Sequence, residues 1–163
     1  MMRLPSNLVY GAGFGLLLLV FSSWPVPRLI IEAEGFACQL NTPRFTLSWI
    51  HSVEHSRWEE DYQLVDTGFL LFATRMESFG AGSPYQLTPS ASQQEGVLEY
   101  TLERHFNELH WFISPSMDAQ IITPNAQHHF STWVEQMTSV HFTLQSRPLI
   151  LTLFAKETCH ASE

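Results

Sequence analysis

Residues 44–65 read RFTLSWIHSVEHSRWEEDYQLV, and this stretch decides the fold class. Apolar and polar side chains alternate through 44–54, and a second alternation runs through 58–65. Successive side chains of a β-strand point to opposite faces of the sheet, so a period of two indicates half-buried strands. Both segments are therefore predicted to be neighbouring strands. One face of the first would carry Phe45, Leu47, Trp49, His51 and Val53.

Turn signals next to these segments predict hairpins. Asp66-Thr67-Gly68 follows the second alternation, so a strand over 69–79 is expected to fold back onto it. Residues 97–106 and 109–114 are expected to form another hairpin that turns at Asn107-Glu108.

The rest of the chain adds short strands and one short helix. Thr132 and Glu135 match a capping box, which predicts that a helix begins there. The other predicted strands are 29–40, bent or divided at Gly35, then 140–144 and 149–154, joined by a turn at 145–148. This pattern predicts an all-β domain, an antiparallel β-sandwich or small barrel of about seven to nine strands.

An uncharged apolar segment precedes this domain. Residues 8–24 read LVYGAGFGLLLLVFSSW and follow Arg3, which is typical of a membrane-inserting segment whose N-terminus stays in the cytoplasm. It is either a cleaved signal peptide or a single-pass signal-anchor helix ended by Pro25 and Pro27. The expected organisation is a membrane segment over 1–27 and a periplasmic all-β domain over 28–163, with 25–28 as the linker. The predicted membrane residues are Leu8, Gly11, Gly15, Leu16 and Trp24; Gly11 and Gly15 have the spacing of a close-packing helix face.

Charge and cysteine content narrow the classes of function. The formal net charge of −8 excludes a phosphate backbone as a favoured partner, so no nucleic acid is expected. Cys38 and Cys159 are the two cysteines, and their spacing matches no zinc-ligand pattern. In an oxidising compartment they can form a disulfide, and two free thiols are the alternative.

Two clusters are the candidate sites. The first contains His51, Ser52, Glu54, His55, Trp58 and Glu59. Imidazole and carboxylate groups can bind a metal or transfer protons, although His51 and Glu54 would point to opposite faces of a regular strand. A hydrogen-bonded core histidine and a solvated edge are the structural alternatives. We expect no metal and no cofactor.

The second cluster is rich in glycine and follows the predicted strand over 69–79. It consists of Phe79, Gly80, Ala81, Gly82, Pro84 and Tyr85. Such a loop turns sharply and allows a close approach, and its backbone N–H groups can hold an anion. A turn that only shapes the domain is the structural alternative. Neither a phosphate loop nor a nucleophile elbow is present.

Together the clusters resemble a known family. Trp49-x-His51-Ser52-Val53-Glu54, then Trp58-Glu59-Glu60, then Ser78-Phe79-Gly80-Ala81-Gly82-x-Pro84 is similar to a bacterial family of uncharacterised small exported proteins. Its members are encoded beside TAXI-type TRAP transporters or fused to the transporter membrane subunit. The similarity is densest over 45–84, and Arg57 stands where the family often has proline.

The resemblance implies a periplasm-facing accessory domain and carries no catalytic assignment. We therefore expect a non-enzymatic protein that binds the TRAP membrane subunit, the TAXI-type solute-binding protein, or both. It would lie in the bacterial inner membrane, or in the periplasm if the N-terminal segment is cleaved. A ligand- or metal-binding β-domain and a periplasmic hydrolase are the alternative functions.

Overall fold

A computed structural model describes residues 22–77, 88–89, 96–154 and 158–159. Within these ranges, no helix is long and apolar enough to cross a membrane. Most of the predicted membrane segment, up to position 21, lies outside the described residues. Only its last residues, including Trp24, are described. The described chain contains these strands: β1 Pro25–Ala33, β2 Phe36–Leu40, β3 Arg44–Ile50, β4 Arg57–Val65, β5 Gly68–Met76, β6 Thr88–Pro89, β7 Leu98–Phe106, β8 Leu109–Ile113, β9 Gln120–Ile122, β10 Gln127–His129 and β11 Thr138–Pro148.

The strands form two antiparallel sheets. The small sheet has four strands in the order β2-β1-β11-β8, and the large sheet has seven in the order β10-β9-β3-β4-β5-β7-β6. Apolar side chains from both sheets form one buried cluster between them. The all-β prediction is confirmed. The described strands make two separate sheets rather than a barrel, and β6, β9 and β10 are strands that the sequence did not predict.

Aromatic rings fill the space between the sheets. Phe45 of β3 stacks on Tyr62 of β4 with ring centroids 5.3 Å apart. Phe45 also faces Phe142 of β11 across the sandwich at 6.2 Å. Phe69 and Phe130 are fully buried in the same cluster. Burying each such ring stabilises the fold by roughly 2–3 kcal/mol, so the alternation in β3 and β4 is a main source of stability.

The turn between β4 and β5 requires glycine. Gly68 has φ +145°, and a Cβ at this position would lie 2.1 Å from the carbonyl oxygen of Phe106. The predicted turn at Asp66-Thr67-Gly68 is therefore present, and the missing side chain lets the end of β7 approach.

The predicted hairpin of 97–106 with 109–114 is wrong. β7 pairs with β5 and β6, whereas β8 pairs with β11. Asn107 and Glu108 carry the chain from the large sheet to the small one. Alternation identifies a strand but not its partner, because the partner is set by contacts between distant parts of the chain.

The C-terminal part also differs from the prediction. β11 continues through 145–148, the predicted turn, because these residues pair with the start of β1. Residues 149–154, predicted to be a strand, form a helix, α1 (Leu149–Phe154). The residues suggested as a linker, 25–28, belong to β1.

The capping-box helix is likewise absent from the described chain around Thr132. The Thr132 hydroxyl donates a hydrogen bond to the His129 carbonyl at 2.7 Å, and the chain forms only a short 3-10 helix over Phe130–Thr132. Thr132 therefore ends this turn rather than beginning a helix.

Cys38 and Cys159 form a disulfide. Their Cα atoms are 4.9 Å apart, they are separated by 121 positions, and both side chains are buried. The tail also hydrogen-bonds to β2, since the Gln39 N–H donates to the Thr158 hydroxyl at 3.0 Å. The disulfide thus fixes the C-terminal tail against the small sheet.

Candidate functional site

The predicted His-containing cluster lies on the loop between β3 and β4. β3 ends at Ile50, whereas the sequence predicted a strand through 54. The His51 N–H donates to the Ser56 carbonyl, and the His55 N–H donates to the His51 carbonyl, both at 2.9 Å. His55 has a positive φ of 53°, which reverses the chain. The motif is therefore a closed loop and not part of a strand.

His51 holds this loop together. Its Nδ1 accepts a hydrogen bond from the Glu54 N–H at 3.2 Å. Its ring lies on the Trp58 indole with centroids 4.3 Å apart and planes 18° apart. Trp58 is buried beside Trp49, whereas Ser52 and Val53 are exposed. In the first predicted cluster, the tip of the loop therefore remains exposed to solvent. Trp58 is buried and packs against the loop through His51.

The structure does not assemble the metal or hydrolase arrangements considered for this cluster. Glu59 points to the outer face of the sheet, away from the side where Trp58 and His51 stack. Within the described part of the chain, no three His, Cys, Asp or Glu side chains are placed to hold a metal ion. The His51 Nδ1 is engaged by a backbone N–H rather than by a carboxylate.

A charged network covers the outer face of the large sheet. Arg75 of β5 donates to Glu59 at 2.9 Å and to Asp61 at 2.8 Å, both on β4. The Thr46 hydroxyl of β3 donates to the same Asp61 at 2.7 Å. The exposed side-chain fractions are only 26% for Arg75, 28% for Glu59 and 16% for Asp61. The hydrogen bond from Arg75 to Asp61 is the main reason why the pKa of this guanidinium is raised.

A second ion pair extends this network towards β9 and β10. Arg57 donates to Asp118 at 2.6 Å and to the Ser48 hydroxyl at 2.9 Å. Asp118 also accepts from Gln120 at 2.7 Å and lies 3.1 Å from the His129 imidazole. The Arg57 hydrogen bond is the main reason why the pKa of Asp118 is lowered; burial opposes it, and the hydrogen bonds from Gln120 and His129 add smaller lowering effects.

Ser48 joins the two ion pairs. Its hydroxyl lies 3.4 Å from a Glu59 oxygen while accepting from Arg57. We call the connected set the outer-face network; it comprises Thr46, Ser48, Arg57, Glu59, Asp61, Arg75 and Asp118. Each charge in this set is paired with a neighbouring side chain.

A cavity of about 310 Å³ opens at the end of this network. Its lining residues are Arg57, Glu59, Arg75, Met76, Glu77, Val97 and Glu99. Glu77 is the last described residue before the Gly-rich cluster in the sequence. That cluster, with Phe79, Gly80, Ala81, Gly82, Pro84 and Tyr85, lies outside the described residues. Among the described residues, Glu59 is the predicted site residue that lines this cavity.

Sequence reasoning missed Arg57, Arg75 and Asp118 as members of this surface. The available signal was the alternation of Arg57, Glu59 and Asp61, which share one face of β4. Arg75 could not be placed opposite them because the register of β4 with β5 follows from tertiary packing.

These features define an all-β, disulfide-linked two-sheet domain with a charged network on the outer face of its large sheet. The chain belongs to the family described as Domain of unknown function (DUF1850), which matches residues 45–130. The matched range includes β4 to β10 and nearly all of β3, while β1, β2 and β11 lie outside it. No curated protein and no solved structure matches the chain.

Proposed function

We propose that this protein is a non-enzymatic, periplasm-facing accessory subunit of a TAXI-type TRAP solute transporter. It binds the transporter membrane subunit or the solute-binding protein through the outer-face network and the adjoining cavity. The half-buried, mutually paired charges of that network are the observation on which the proposal rests. The similarity of the paired motifs over 45–84 to the transporter-associated family supplies the kind of partner.

The network suits recognition of another protein. Because Arg75, Glu59 and Asp61 already hold one another, covering them costs little side-chain entropy. Paired charges also give specificity, since a partner must match their arrangement. The cavity next to them is lined by Glu59, Glu77 and Glu99 together with Arg57 and Arg75, and both arginines already hold acidic partners. We therefore expect the partner to insert a lysine or arginine side chain.

The chain end near the predicted membrane segment supports a membrane-attached position. Trp24, Ile150 and Leu151 are large apolar side chains that remain exposed. The Leu149 N–H donates to the Trp24 carbonyl at 2.8 Å, which places α1 where the chain enters β1. Aromatic and aliphatic side chains in such a position suit the membrane interface. We therefore place the domain next to the inner membrane, anchored by a single-pass segment.

The disulfide supports the same compartment. Disulfides such as that between Cys38 and Cys159 persist in oxidising environments, which include the bacterial periplasm. The proposed topology has the C-terminal domain on the periplasmic side.

Co-purification tests this function. The full chain, carrying an affinity tag, is isolated from its native membranes in mild detergent, and the recovered proteins are identified by mass spectrometry. A TRAP subunit is expected with the wild type but not with Glu77→Lys, which would repel a basic partner side chain. Glu32→Lys is the matched control, because Glu32 is an exposed acid on the small sheet. Failure of the wild type to recover any transporter subunit overturns the proposal, as does equal recovery by both variants.

A second candidate function, ligand binding by the β-domain itself, is favoured by a different feature. The two sheets separate between β7 and β8, and the cleft there contains the half-buried carboxyl group of Glu60.

A further inference from the structure

The cleft between the sheets has a volume of about 270 Å³. β7 forms its wall on the large sheet and β8 forms its wall on the small sheet. Its apolar surface comes from Leu71, Leu102, Leu109 and Trp111, among others. The cleft exists because β7 and β8 belong to different sheets, and the chain crosses between them at residues 107–108.

Glu60 lies at the inner side of this cleft. In β4 it falls between Trp58 and Tyr62, which both point into the sandwich, so the alternation carries its carboxyl group inward. The Tyr62 hydroxyl donates to it at 2.6 Å. Burial raises the pKa of Glu60 above its ordinary value, although the Tyr62 hydrogen bond and the Arg104 charge both lower it.

The single hydrogen bond does not satisfy a carboxyl group in such surroundings. Two carboxylate oxygens offer about four acceptor positions. Among the described residues, the Tyr62 hydroxyl is the hydrogen-bond donor that we find for Glu60. Taking an ionised carboxyl group out of water is costly unless a counter-charge is close. Arg104 supplies a counter-charge without a direct hydrogen bond, so a cationic group that enters the cleft and donates hydrogen bonds to the Glu60 carboxylate would be favoured.

Arg104 provides the opposite charge at the cleft. It extends from β7, lines the cleft, and is largely exposed. Its interaction with Glu60 is electrostatic rather than a direct hydrogen bond. His110 and Glu108, also in the lining, pair with each other at 3.0 Å. Arg104 is therefore the charged group at the cleft that is best placed to accept an anion.

We propose that this cleft binds a small zwitterionic molecule with an apolar body, such as an apolar α-amino acid. The ammonium group lies against Glu60, the carboxylate against Arg104, and the apolar part against Leu102, Leu109 and Trp111. Ligand sites with apolar walls and a few fixed polar groups have this general composition. The inference deepens the second candidate function and does not depend on docking to a transporter.

The charge arrangement distinguishes this ligand class from simpler ones. An amine without a carboxylate would leave Arg104 without an anion and would be repelled by it. A carboxylate without an amine would face the charge of Glu60. A neutral molecule would compensate neither group. A zwitterion engages both at once, so the two contacts should reinforce each other.

Binding of matched compounds to the full chain in lipid nanodiscs tests the proposal. The probes are L-leucine, isopentylamine and 4-methylpentanoate, which share the apolar body and differ in the charged groups, and affinity is measured by calorimetry. L-leucine is expected to bind at least about tenfold more tightly than either analogue. Absence of saturation by L-leucine and by L-phenylalanine up to about 10 mM overturns the proposal, as does equal affinity for the three probes.

Two variants test which side chain contacts the ammonium group of the ligand and which contacts its carboxylate. Glu60→Gln should weaken L-leucine and isopentylamine by about tenfold and leave 4-methylpentanoate unchanged or tighter. Arg104→Gln should weaken L-leucine and 4-methylpentanoate but not isopentylamine. Glu103→Gln is the control, because Glu103 neighbours Arg104 and its side chain is 84% exposed. Unchanged discrimination in both cleft variants would overturn the assignment.

A loss of ligand binding can be distinguished from misfolding and from a loss of docking to the transporter. Glutamine at position 60 still offers a carbonyl oxygen to Tyr62, and Arg104 is exposed, so both variants are expected to fold normally. Glu60→Gln should also still recover the TRAP subunit in the co-purification experiment. Loss of zwitterion binding with retained co-purification would therefore leave the accessory function intact.

Discussion

The imidazole of His51 lies on the indole of Trp58, with ring centroids 4.3 Å apart, while its Nδ1 accepts the Glu54 N–H. His51, Glu54 and Trp58 thus hold one loop closed. The loop presents Ser52 and Val53 to solvent. His51 and Trp58 therefore fix the shape of this loop.

Replacing His51 should open the loop. His51→Ala removes the stacked ring and the acceptor for the Glu54 N–H, and is expected to lower the free energy of unfolding by about 1–2 kcal/mol. Urea unfolding monitored by tryptophan fluorescence measures this loss. Ser52→Ala, at an exposed position of the same loop, should change stability by less than about 0.5 kcal/mol. Equal effects of the two substitutions would contradict the role of His51.

Reduction of the disulfide between Cys38 and Cys159 should cause a large loss of stability. Cys38→Ser with Cys159→Ser opens a loop of 121 positions and is expected to cost about 3–5 kcal/mol, since a long loop gains much entropy in the unfolded chain. Urea unfolding with and without a thiol reductant measures it. The reductant should destabilise the wild type and leave the double variant unchanged; a wild type insensitive to full reduction would contradict the prediction.

Glu60 should make stability depend on pH. Because its pKa is raised in the folded state, the folded chain binds this proton more tightly than the unfolded chain. The stabilisation is therefore complete below the ordinary glutamate pKa of 4.5 and declines as the pH rises through the raised value.

The variant Glu60→Gln isolates this effect. It should remove that part of the pH dependence and be more stable than the wild type at mildly alkaline pH, by about 1 kcal/mol. Thermal unfolding across a pH series measures the difference, with Glu103→Gln as the control. A wild type and Glu60→Gln variant with parallel pH profiles would contradict it.

Removing the Arg75 guanidinium from the outer-face network should lower the free energy of unfolding. Arg75→Met keeps the side-chain length but leaves Glu59 and Asp61 as neighbouring, partly buried carboxylates. The expected loss is about 2 kcal/mol, below the value for fully buried pairs because water still reaches the group. Denaturant unfolding measures it against Arg147→Met, which alters an exposed arginine. Similar losses in both variants would show that the network contributes no specific stability.

Trp24 should lie at the membrane interface. In nanodiscs that contain brominated lipid, its fluorescence is expected to be quenched, because it is 64% exposed and follows the apolar segment over 8–23. Trp24→Phe should reduce the quenched fraction of the total emission, since Trp58 and Trp133 are buried in the domain. An unchanged quenched fraction would place Trp24 away from lipid.

Local patterns in the sequence determined the strands β3, β4 and β5. The alternation in 44–50 and 57–65 sets which side chains enter the core, and Asp66-Thr67-Gly68 marks the turn between β4 and β5. The same alternation already separated Glu59 from Glu60. These features are readable because side-chain direction repeats every two residues within a single strand.

Tertiary structure decided everything that depends on which strands meet. Pairing placed β7 and β8 in different sheets and so opened the cleft around Glu60. The register of β4 with β5 brought Arg75 to Glu59 and Asp61, and packing of the tail against β2 joined Cys38 to Cys159. The sequence by itself determined an all-β domain whose strands present defined faces. Its binding surfaces were decided only on folding, because they are formed by hydrogen bonds and ion pairs between residues that lie far apart in the chain.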